Sequence, residues 1–141
     1  MQIIMKPIGF VHTKEGDVPR HWSLSDLEGS LEVDKIYMEG LKDIKKGQKI
    51  ILLFNFDRSA EFSSSFLTQR PPTGKEKRGV FSICSPRRPN PIGMSVLDVL
   101  DICENIIKVK GVDMLDRTPI LDIKPFVKDK NSCPSFRQGN D

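Results

Sequence analysis

The most unusual chemistry in this 141-residue chain lies between Ser82 and Val96, in the segment SICSPRRPNPIGMSV. Three prolines, two adjacent arginines and an asparagine are flanked by apolar, strand-like residues. Proline fixes φ at about −65° and lacks an N–H, so this density of prolines predicts a stiff, non-helical loop. A preformed loop loses little entropy when a ligand docks, which favours a ligand-shaping role. The alternative is an exposed polyproline segment, because PRRP also matches P-x-x-P.

A second polar cluster follows in the segment DMLDRTPILD. Asp113, Asp116, Thr118 and Asp122 surround a turn that enters the last predicted strand through Pro119. Side-chain capping of the turn explains Asp116 and Thr118 adequately. A carboxylate held in such a turn could equally accept a hydrogen bond from a ribose or an amine. Both interpretations remain open from the residues alone.

Basic residues are concentrated in one part of the chain. The net charge is +3, but residues 70–88 hold six basic residues against Glu76, which gives this segment +5 and the remainder −2. Such asymmetry is typical of a surface that binds a phosphate backbone, and a solvated loop is the alternative. The six residues are Arg70, Lys75, Lys77, Arg78, Arg87 and Arg88.

Several classes of protein are excluded by missing motifs. The chain has no G-x-G-x-x-G, Walker A, G-x-S-x-G or H-E-x-x-H motif. Its three cysteines lack paired spacing and its two histidines are isolated, so no metal site is expected. The longest apolar run, Ile50–Phe54, is too short to span a membrane, and the start MQIIMKPIGF lacks a signal-peptide pattern. We therefore expect a cytoplasmic protein with no membrane segment.

The elements that must position these clusters are mostly strands. Ser25 and Glu28 match a capping box for at most one helical turn, and the polar residues 60–78 form a long connection. Many short strands without a βαβ rhythm indicate an all-β, antiparallel sandwich or barrel. We predict a domain over 1–128 and a flexible C-terminal tail over 129–141. The predicted strands are Ile3–Val11 (with Ile4, Ile8 and Phe10 on one side), 30–37, 49–57 (central and doubly buried), 79–84, 94–102, 105–114 and 119–126.

The two clusters together resemble the TsaA-like family of tRNA adenosine-N6 methyltransferases. RPPTGKEKRGVFSICSPRRPNPIGMSV matches the family's RPP, GVF and RPNPIG core, and DMLDRTPILDIKPF matches its D-G-T-P…D-I-K-P element. Weaker similarity is present in IGFVHT, VPRH and LLFNFDRS, so the match spans nearly the whole chain up to about Lys128. The resemblance implies a single-sheet antiparallel β-barrel with a few short helical turns. It also implies S-adenosylmethionine bound at sites completed across a homodimer, and methyl transfer to N6 of (threonylcarbamoyl-)adenosine 37 of tRNA.

The resemblance also implies roles for individual residues. Asp116 is the candidate acceptor for the N6 proton, with backbone carbonyls of the proline loop as an alternative. Apart from Arg88, the basic residues of segment 70–88 are expected to contact tRNA phosphates. They are Arg70, Lys75, Lys77, Arg78 and Arg87. The implied cofactor-binding residues are His21, Trp22, Asp57, Arg58, Arg88, Pro89, Asn90, Pro91, Met94, Ser95, Asp116, Arg117, Thr118 and Pro119.

Five positions differ from the family pattern. Many relatives have glutamine at His21 and a His–Gln pair at Asp57–Arg58, while Cys84 replaces an arginine and Arg117 a glycine. These differences leave two other functions open. One is a non-catalytic sensor, in which the barrel binds S-adenosylmethionine or another small ligand. The other is an adaptor whose PRRP loop binds a protein.

Overall fold

The computed structural model describes residues 1–14, 18–129 and 131–135. Eight strands and four short 3₁₀ helices make up the regular structure of these residues. The 3₁₀ helices are Trp22–Leu24, Lys35–Leu41, Ser64–Phe66 and Val80–Ser82. The strands are β1 (Gly9–His12), β2 (Glu28–Val33), β3 (Lys49–Asn55), β4 (Thr68–Gln69), β5 (Arg78–Gly79), β6 (Ile92–Cys103), β7 (Ile106–Lys110) and β8 (Pro119–Pro125).

Six of the strands close into one antiparallel barrel. Their order is β1-β2-β7-β6-β3-β8, and β8 pairs back onto β1. Closure pairs every strand on both sides and so removes the exposed sheet edges that favour aggregation. The remaining strands, β4 and β5, form a separate two-stranded hairpin. The prediction of an all-β, single-sheet antiparallel barrel is confirmed.

The barrel has a single interior, and alternate residues of each strand fill it. In β3, Ile50, Leu52 and Phe54 are buried, while Ile51 and Leu53 on the outward side are half-buried. The prediction that this strand is central is confirmed, since it pairs with β6 and β8. The prediction that it is doubly buried is wrong, because a closed barrel covers only one face of each strand.

The first strand differs from the prediction in both length and phase. It begins at Gly9, and its buried side holds Gly9 and Val11, whereas Phe10 is 43% exposed and Ile4 85% exposed. A Cβ at Gly9 would collide with the carbonyl oxygen of Glu32 on β2, so only glycine fits the inward position there. A shift of one residue exchanges the two faces of a strand, which explains why Phe10 lies outside.

Three further predictions are corrected by local hydrogen bonds. The strand predicted over 30–37 ends at Val33, because the Asp34 carboxylate accepts the Ile36 N–H at 3.1 Å and caps a 3₁₀ helix. The strand predicted over 79–84 is a 3₁₀ turn after β5. The predicted Ser25 capping box is absent. His21 caps the preceding turn instead, and Ser25 Oγ donates to the carbonyl of Val112 at 2.5 Å.

The other strand predictions agree with the structure. The segments 94–102, 105–114 and 119–126 contain most of β6, all of β7 and all of β8. In β7, Ile107 and Val109 are buried and Lys108 is exposed, as the alternation predicted. Of the predicted tail over 129–141, residues 130 and 136–141 lie outside the described residues.

Gly93 on β6 packs against two aromatic rings. One belongs to Phe54 on β3, and the other belongs to Phe56, which follows that strand. The rings of Phe54 and Phe56 meet edge to face with centroids 5.0 Å apart. A Cβ at Gly93 would overlap the Phe54 ring and lie 2.9 Å from the Phe56 ring.

We therefore expect Gly93→Ala to lower the free energy of unfolding by about 2–3 kcal/mol, since an overpacked core must shift its backbone or its rings. Urea denaturation measures this change. Gly40→Ala is the matched control, because no atom lies within 4 Å of a Cβ there. Equal stability of the two variants would contradict the role given to Gly93.

Candidate functional site

The two polar clusters lie at the same rim of the barrel. Antiparallel pairing sets the end of β3 beside the start of β6 (Asn55 opposite Ile92) and beside the start of β8 (Phe54 opposite Ile120). Phe10 of β1 pairs with Pro119, and the Val11 N–H donates to the Thr118 carbonyl at 2.9 Å, so the end of β1 lies beside the residues that lead into β8. The end of β7 pairs with the start of β2. The segments that follow β1, β3 and β7 therefore all leave from this rim.

Asp113 is the centre of the first group at this rim. The hydroxyl of Ser95, which is completely buried, donates to Asp113 Oδ1 at 2.5 Å. The backbone of Trp22 and the side chain of His21 lie close enough to this carboxylate to interact with it electrostatically. Burial raises the pKa of the Asp113 carboxyl above its ordinary value, and the Ser95, His21 and Trp22 interactions oppose part of that rise.

A small network holds the Trp22 segment against the barrel. His21 Nδ1 accepts the Ser23 N–H at 3.2 Å and lies 2.6 Å from Ser23 Oγ. The imidazole and indole rings are tilted by 34° with their centroids 5.0 Å apart. The buried hydroxyl of Ser25 bonds the carbonyl of Val112. These contacts attach the His21–Ser25 segment to Val112, the residue before Asp113.

Asp116 is the centre of the second group, which faces β1 and the end of β3. Its Oδ1 accepts the Thr13 N–H at 2.9 Å, and its backbone carbonyl accepts Arg58 Nη2 at 2.7 Å. The same guanidinium donates to Thr118 Oγ1 at 3.2 Å and lies 3.4 Å from Asp57 Oδ1. Arg58 therefore connects the end of β3 to the turn before β8.

The proline loop is fixed by its own hydrogen bonds. Arg88 Nη1 donates to the carbonyls of Ile83 at 3.0 Å and Ser85 at 3.2 Å. The Asn90 carbonyl accepts the Ile92 N–H at 2.7 Å, and the Pro91 carbonyl accepts the Phe56 N–H at 2.8 Å. The loop is preformed, as predicted. The carbonyls of Arg87, Asn90 and Pro91 are bonded within the protein, which weakens their case as proton acceptors.

The basic residues form a strip from the β4–β5 hairpin to the proline loop. Arg70, Lys75, Lys77 and Arg78 are exposed on the hairpin and its connecting turn. Arg87 lies over the ring of Phe66 at 4.8 Å, and its carbonyl accepts Gln69 Nε2 at 2.7 Å. These two contacts attach the hairpin to the proline loop.

The structure therefore divides the predicted site residues. It brings His21, Trp22 and Ser95 together around Asp113, and it brings Asp57, Arg58, Thr118 and Asp116 together beside β1. Met94 is half exposed on the outer face of β6, beside Ser95, and Pro119 begins β8. Pro89, Asn90 and Pro91 are exposed on the proline loop, and Arg88 is directed to that loop's own carbonyls.

Asp113 was not singled out as a site residue by the sequence. The sequence places it in a polar cluster with Asp116, Thr118 and Asp122, for which turn capping and ligand binding both stay open. The available signal was its position between Val112 and Met114, both of which are buried. A carboxylate in an apolar segment must be desolvated, and strongly perturbed carboxylates are frequent at functional sites.

Other candidate sites are not supported by the described residues. Among them, no group of three or more His, Cys, Asp or Glu side chains could hold a metal ion. No helix in the described ranges is both long and apolar enough to cross a bilayer. All three cysteines are free. A groove of about 480 Å³ lies at the opposite end of the barrel, lined by Pro7–Phe10, Glu32–Lys35 and Asn105, away from both carboxylate groups.

Comparison with known proteins identifies the family. Residues 8–132 match the model of the tRNA-methyltransferase O N-terminal domain. The chain belongs to this family. A Pyrococcus abyssi protein named "Probable S-adenosyl-L-methionine-binding protein" is 43% identical over 99% of this chain and 76% of its own length. The mouse "tRNA (adenine(37)-N6)-methyltransferase" is 30% identical over 99% of this chain but 34% of its own length.

The fold of a solved family member is also similar. A crystal structure of TrmO superposes with a TM-score of 0.74 and 30% identity, over 99% of this chain and 64% of that chain. The present chain thus spans somewhat less than two thirds of the solved TrmO chain. The similarity agrees with the six-stranded barrel described above.

Arg117 occupies a backbone conformation that favours glycine. Its φ is +66°, in the left-handed region, and the family pattern has glycine at this position. Its Nε atom lies 4.0 Å from Asp116 Oδ2, which is long for an ion pair, and the arginine side chain is 84% exposed. An ion pair of that kind contributes little to stability.

We therefore expect Arg117→Gly to raise the free energy of unfolding by about 0.5–1 kcal/mol, through relief of the left-handed strain. Arg117→Ala is the control, because it removes the same guanidinium but leaves a Cβ at positive φ. Thermal or urea unfolding distinguishes the two variants. A gain in stability from alanine as large as that from glycine would show that the side chain, not the backbone, is responsible.

Proposed function

We propose that this protein is an S-adenosylmethionine-dependent methyltransferase that acts on N6 of adenosine 37 in tRNA, with or without a threonylcarbamoyl group. The observation that carries the proposal is the meeting of Ser95, on the strand that leaves the RPNPIG loop, with Trp22 at the half-buried Asp113 carboxylate. The basic strip adjoins the proline loop next to it. Similarity to the mouse enzyme over nearly the whole chain supports the same function.

The residues at the rim suit this cofactor. S-adenosylmethionine supplies a methyl group activated by a sulfonium cation. The His21 and Trp22 rings offer stacking surfaces, Asp113 offers a negative charge, and Met94 is a half-exposed apolar side chain. Pro89–Pro91 would form a rigid wall. Displacement at a methyl group needs no covalent catalysis, so positioning by these residues can supply much of the rate acceleration.

The adenosine N6 is a poor nucleophile because its lone pair is delocalised into the ring, so a proton acceptor is required. Asp116 remains our candidate. Its Oδ1 is bonded by the Thr13 N–H, whereas the nearest recorded contact of Oδ2 is Arg117 Nε at 4.0 Å. The second oxygen is thus available for the proton, and its side chain is one-third exposed.

We further propose that the protein acts in the cytoplasm as a homodimer. Apolar side chains exposed on the N-terminal segment and on the 3₁₀ helix after β2, namely Ile3, Ile4, Met5, Ile36 and Tyr37, support burial against a second copy. A second candidate function is a sensor that binds S-adenosylmethionine without turnover. The differences at positions 57, 58, 84 and 117 support this alternative.

We expect methyl transfer from labelled S-adenosylmethionine to tRNA that carries adenosine 37, and none to the same tRNA with guanosine 37. Asp116→Asn should lower kcat while cofactor affinity changes little. Radiolabel incorporation and calorimetric binding measure the two quantities. Binding without any incorporation would favour the sensor over the enzyme, and the absence of binding would contradict both.

The basic strip is expected to bind tRNA phosphates. Lys75→Ala/Lys77→Ala removes two exposed cations and should weaken tRNA binding, with the slope of log Kd against log salt shallower by about 1.5. Lys45→Ala/Lys46→Ala is the matched control, because these exposed lysines precede β3, at the opposite end of the barrel. Filter binding across a salt series measures the slope. The same slope in both double variants would place the RNA elsewhere.

A further inference from the structure

The two carboxylates of the β7–β8 loop have different partners. Asp116 accepts the Thr13 N–H, whereas Asp113 accepts the Ser95 hydroxyl and interacts electrostatically with the Trp22 segment. The residues that the family pattern assigns to the cofactor on β6 and in the Trp22 segment therefore surround Asp113. Asp116 belongs to the part of the rim that Arg58 holds together.

Asp113 lies in an environment that disfavours its ionised form. The carboxylate lies between two buried residues, Val112 and Met114, and bonds a hydroxyl that is completely buried. Its donors do not compensate fully, since burial still leaves the pKa of the Asp113 carboxyl raised. A carboxylate that served only to brace the loop would be expected to have its ionised form favoured by the fold. A charge retained at a cost to stability points to a ligand that uses it.

We propose that Asp113 is a positioning residue for the cofactor: its negative charge attracts the cationic sulfonium, and the bond from the Ser95 hydroxyl holds the carboxylate in place for that contact. This inference rests on the proposed function. It assigns to Asp113 a role that differs from proton transfer by Asp116. It also explains why Ser95 is a buried hydroxyl on the interior side of β6, because that hydroxyl orients the carboxylate.

The sharpest test compares two ligands that differ by one methyl group and one charge. S-adenosylmethionine carries the sulfonium cation, and S-adenosylhomocysteine has a neutral thioether. Trp22 is the only tryptophan of the chain, so its fluorescence reports binding of both ligands beside Asp113. Asp113→Asn should weaken S-adenosylmethionine binding by roughly tenfold and leave S-adenosylhomocysteine binding nearly unchanged.

The control removes a carboxylate on β6 that lies away from Asp113. Asp98 pairs with Lys49 at 2.6 Å on the outer surface of the barrel, and both side chains are about half exposed. Asp98→Asn changes the net charge by the same amount and should leave the ratio of the two affinities unchanged. A parallel loss of both ligands in Asp113→Asn alone would mean a structural role only and would overturn this inference, while the proposed function would stand. Failure of the parent protein to bind either ligand would instead overturn the proposed function.

A second arm uses the parent protein and therefore does not depend on a variant that folds. Protonation of Asp113 removes its charge, so the preference for S-adenosylmethionine should fall as the pH is lowered, beginning above the range of an ordinary aspartate. His21 is a second ionisable group that interacts with Asp113. His21→Gln, which installs the residue of many relatives, removes that group and isolates the contribution of Asp113. A preference that is independent of pH in His21→Gln would overturn the inference.

Stability provides the remaining control on folding. Because the pKa of Asp113 is raised in the folded protein, its contribution to stability is fully present below the pKa in the unfolded chain and is lost as the pH rises through the folded value. Asp113→Asn should therefore be at least as stable as the parent at pH 7 in thermal unfolding. A large loss of stability at that pH would show that the carboxylate braces the fold, and would count against a role in binding.

Discussion

The close approach of β6 to β3 at Gly93 is the constraint on which the site depends. Without a Cβ, Gly93 admits the Phe54 ring, and this contact occurs at the point where the proline loop enters the barrel wall. Strand residues alternate between faces, so an inward Gly93 directs Ser95 inward and Met94 outward. A shift of one residue would remove the Ser95 hydroxyl from the interior and leave Asp113 without its donor. Core packing and site chemistry therefore depend on one register.

The pattern of apolar residues predicted most of the barrel strands. It assigned the wrong face to β1, where the inward residue is a glycine. Alternating apolar residues mark β7, and a run of consecutive apolar residues marks β3. In β1 the inward position is Gly9, so the pattern instead selected Phe10, which is exposed. Capping by Asp34 and His21 was also missed, because one side-chain hydrogen bond decides where a short 3₁₀ helix begins.

The candidate site was predicted only in part for a related reason. Family resemblance named Ser95, Trp22 and Asp116, but the direction of each carboxylate depends on the path of the chain through the β7–β8 loop. Asp113 and Asp116 are separated by two residues and contact different elements. No periodic pattern describes an irregular loop, so sequence spacing could not decide which carboxylate faces Trp22.

Residues 112–118 hold two features that oppose folding. One is the desolvated Asp113 carboxylate, and the other is the left-handed Arg117. Strained backbone and perturbed ionisable groups persist where surrounding contacts over-determine them, and they are frequent at functional sites. Here the bonds from Arg58 and from the Thr13 N–H hold the loop from the outside. The fold thus tolerates a desolvated carboxylate and a strained backbone at the rim where we propose that the cofactor binds.

The two adjacent arginines of the proline loop illustrate how the proposed RNA surface and cofactor wall are joined. Arg88 bonds the carbonyls of Ile83 and Ser85 and stiffens the loop from within. Arg87 is exposed, lies over Phe66 and ties the loop to the basic hairpin through Gln69. The hairpin is therefore attached directly to the segment that leads through Gly93 to Ser95. A single rigid loop thus connects the basic strip to the hydroxyl that orients Asp113.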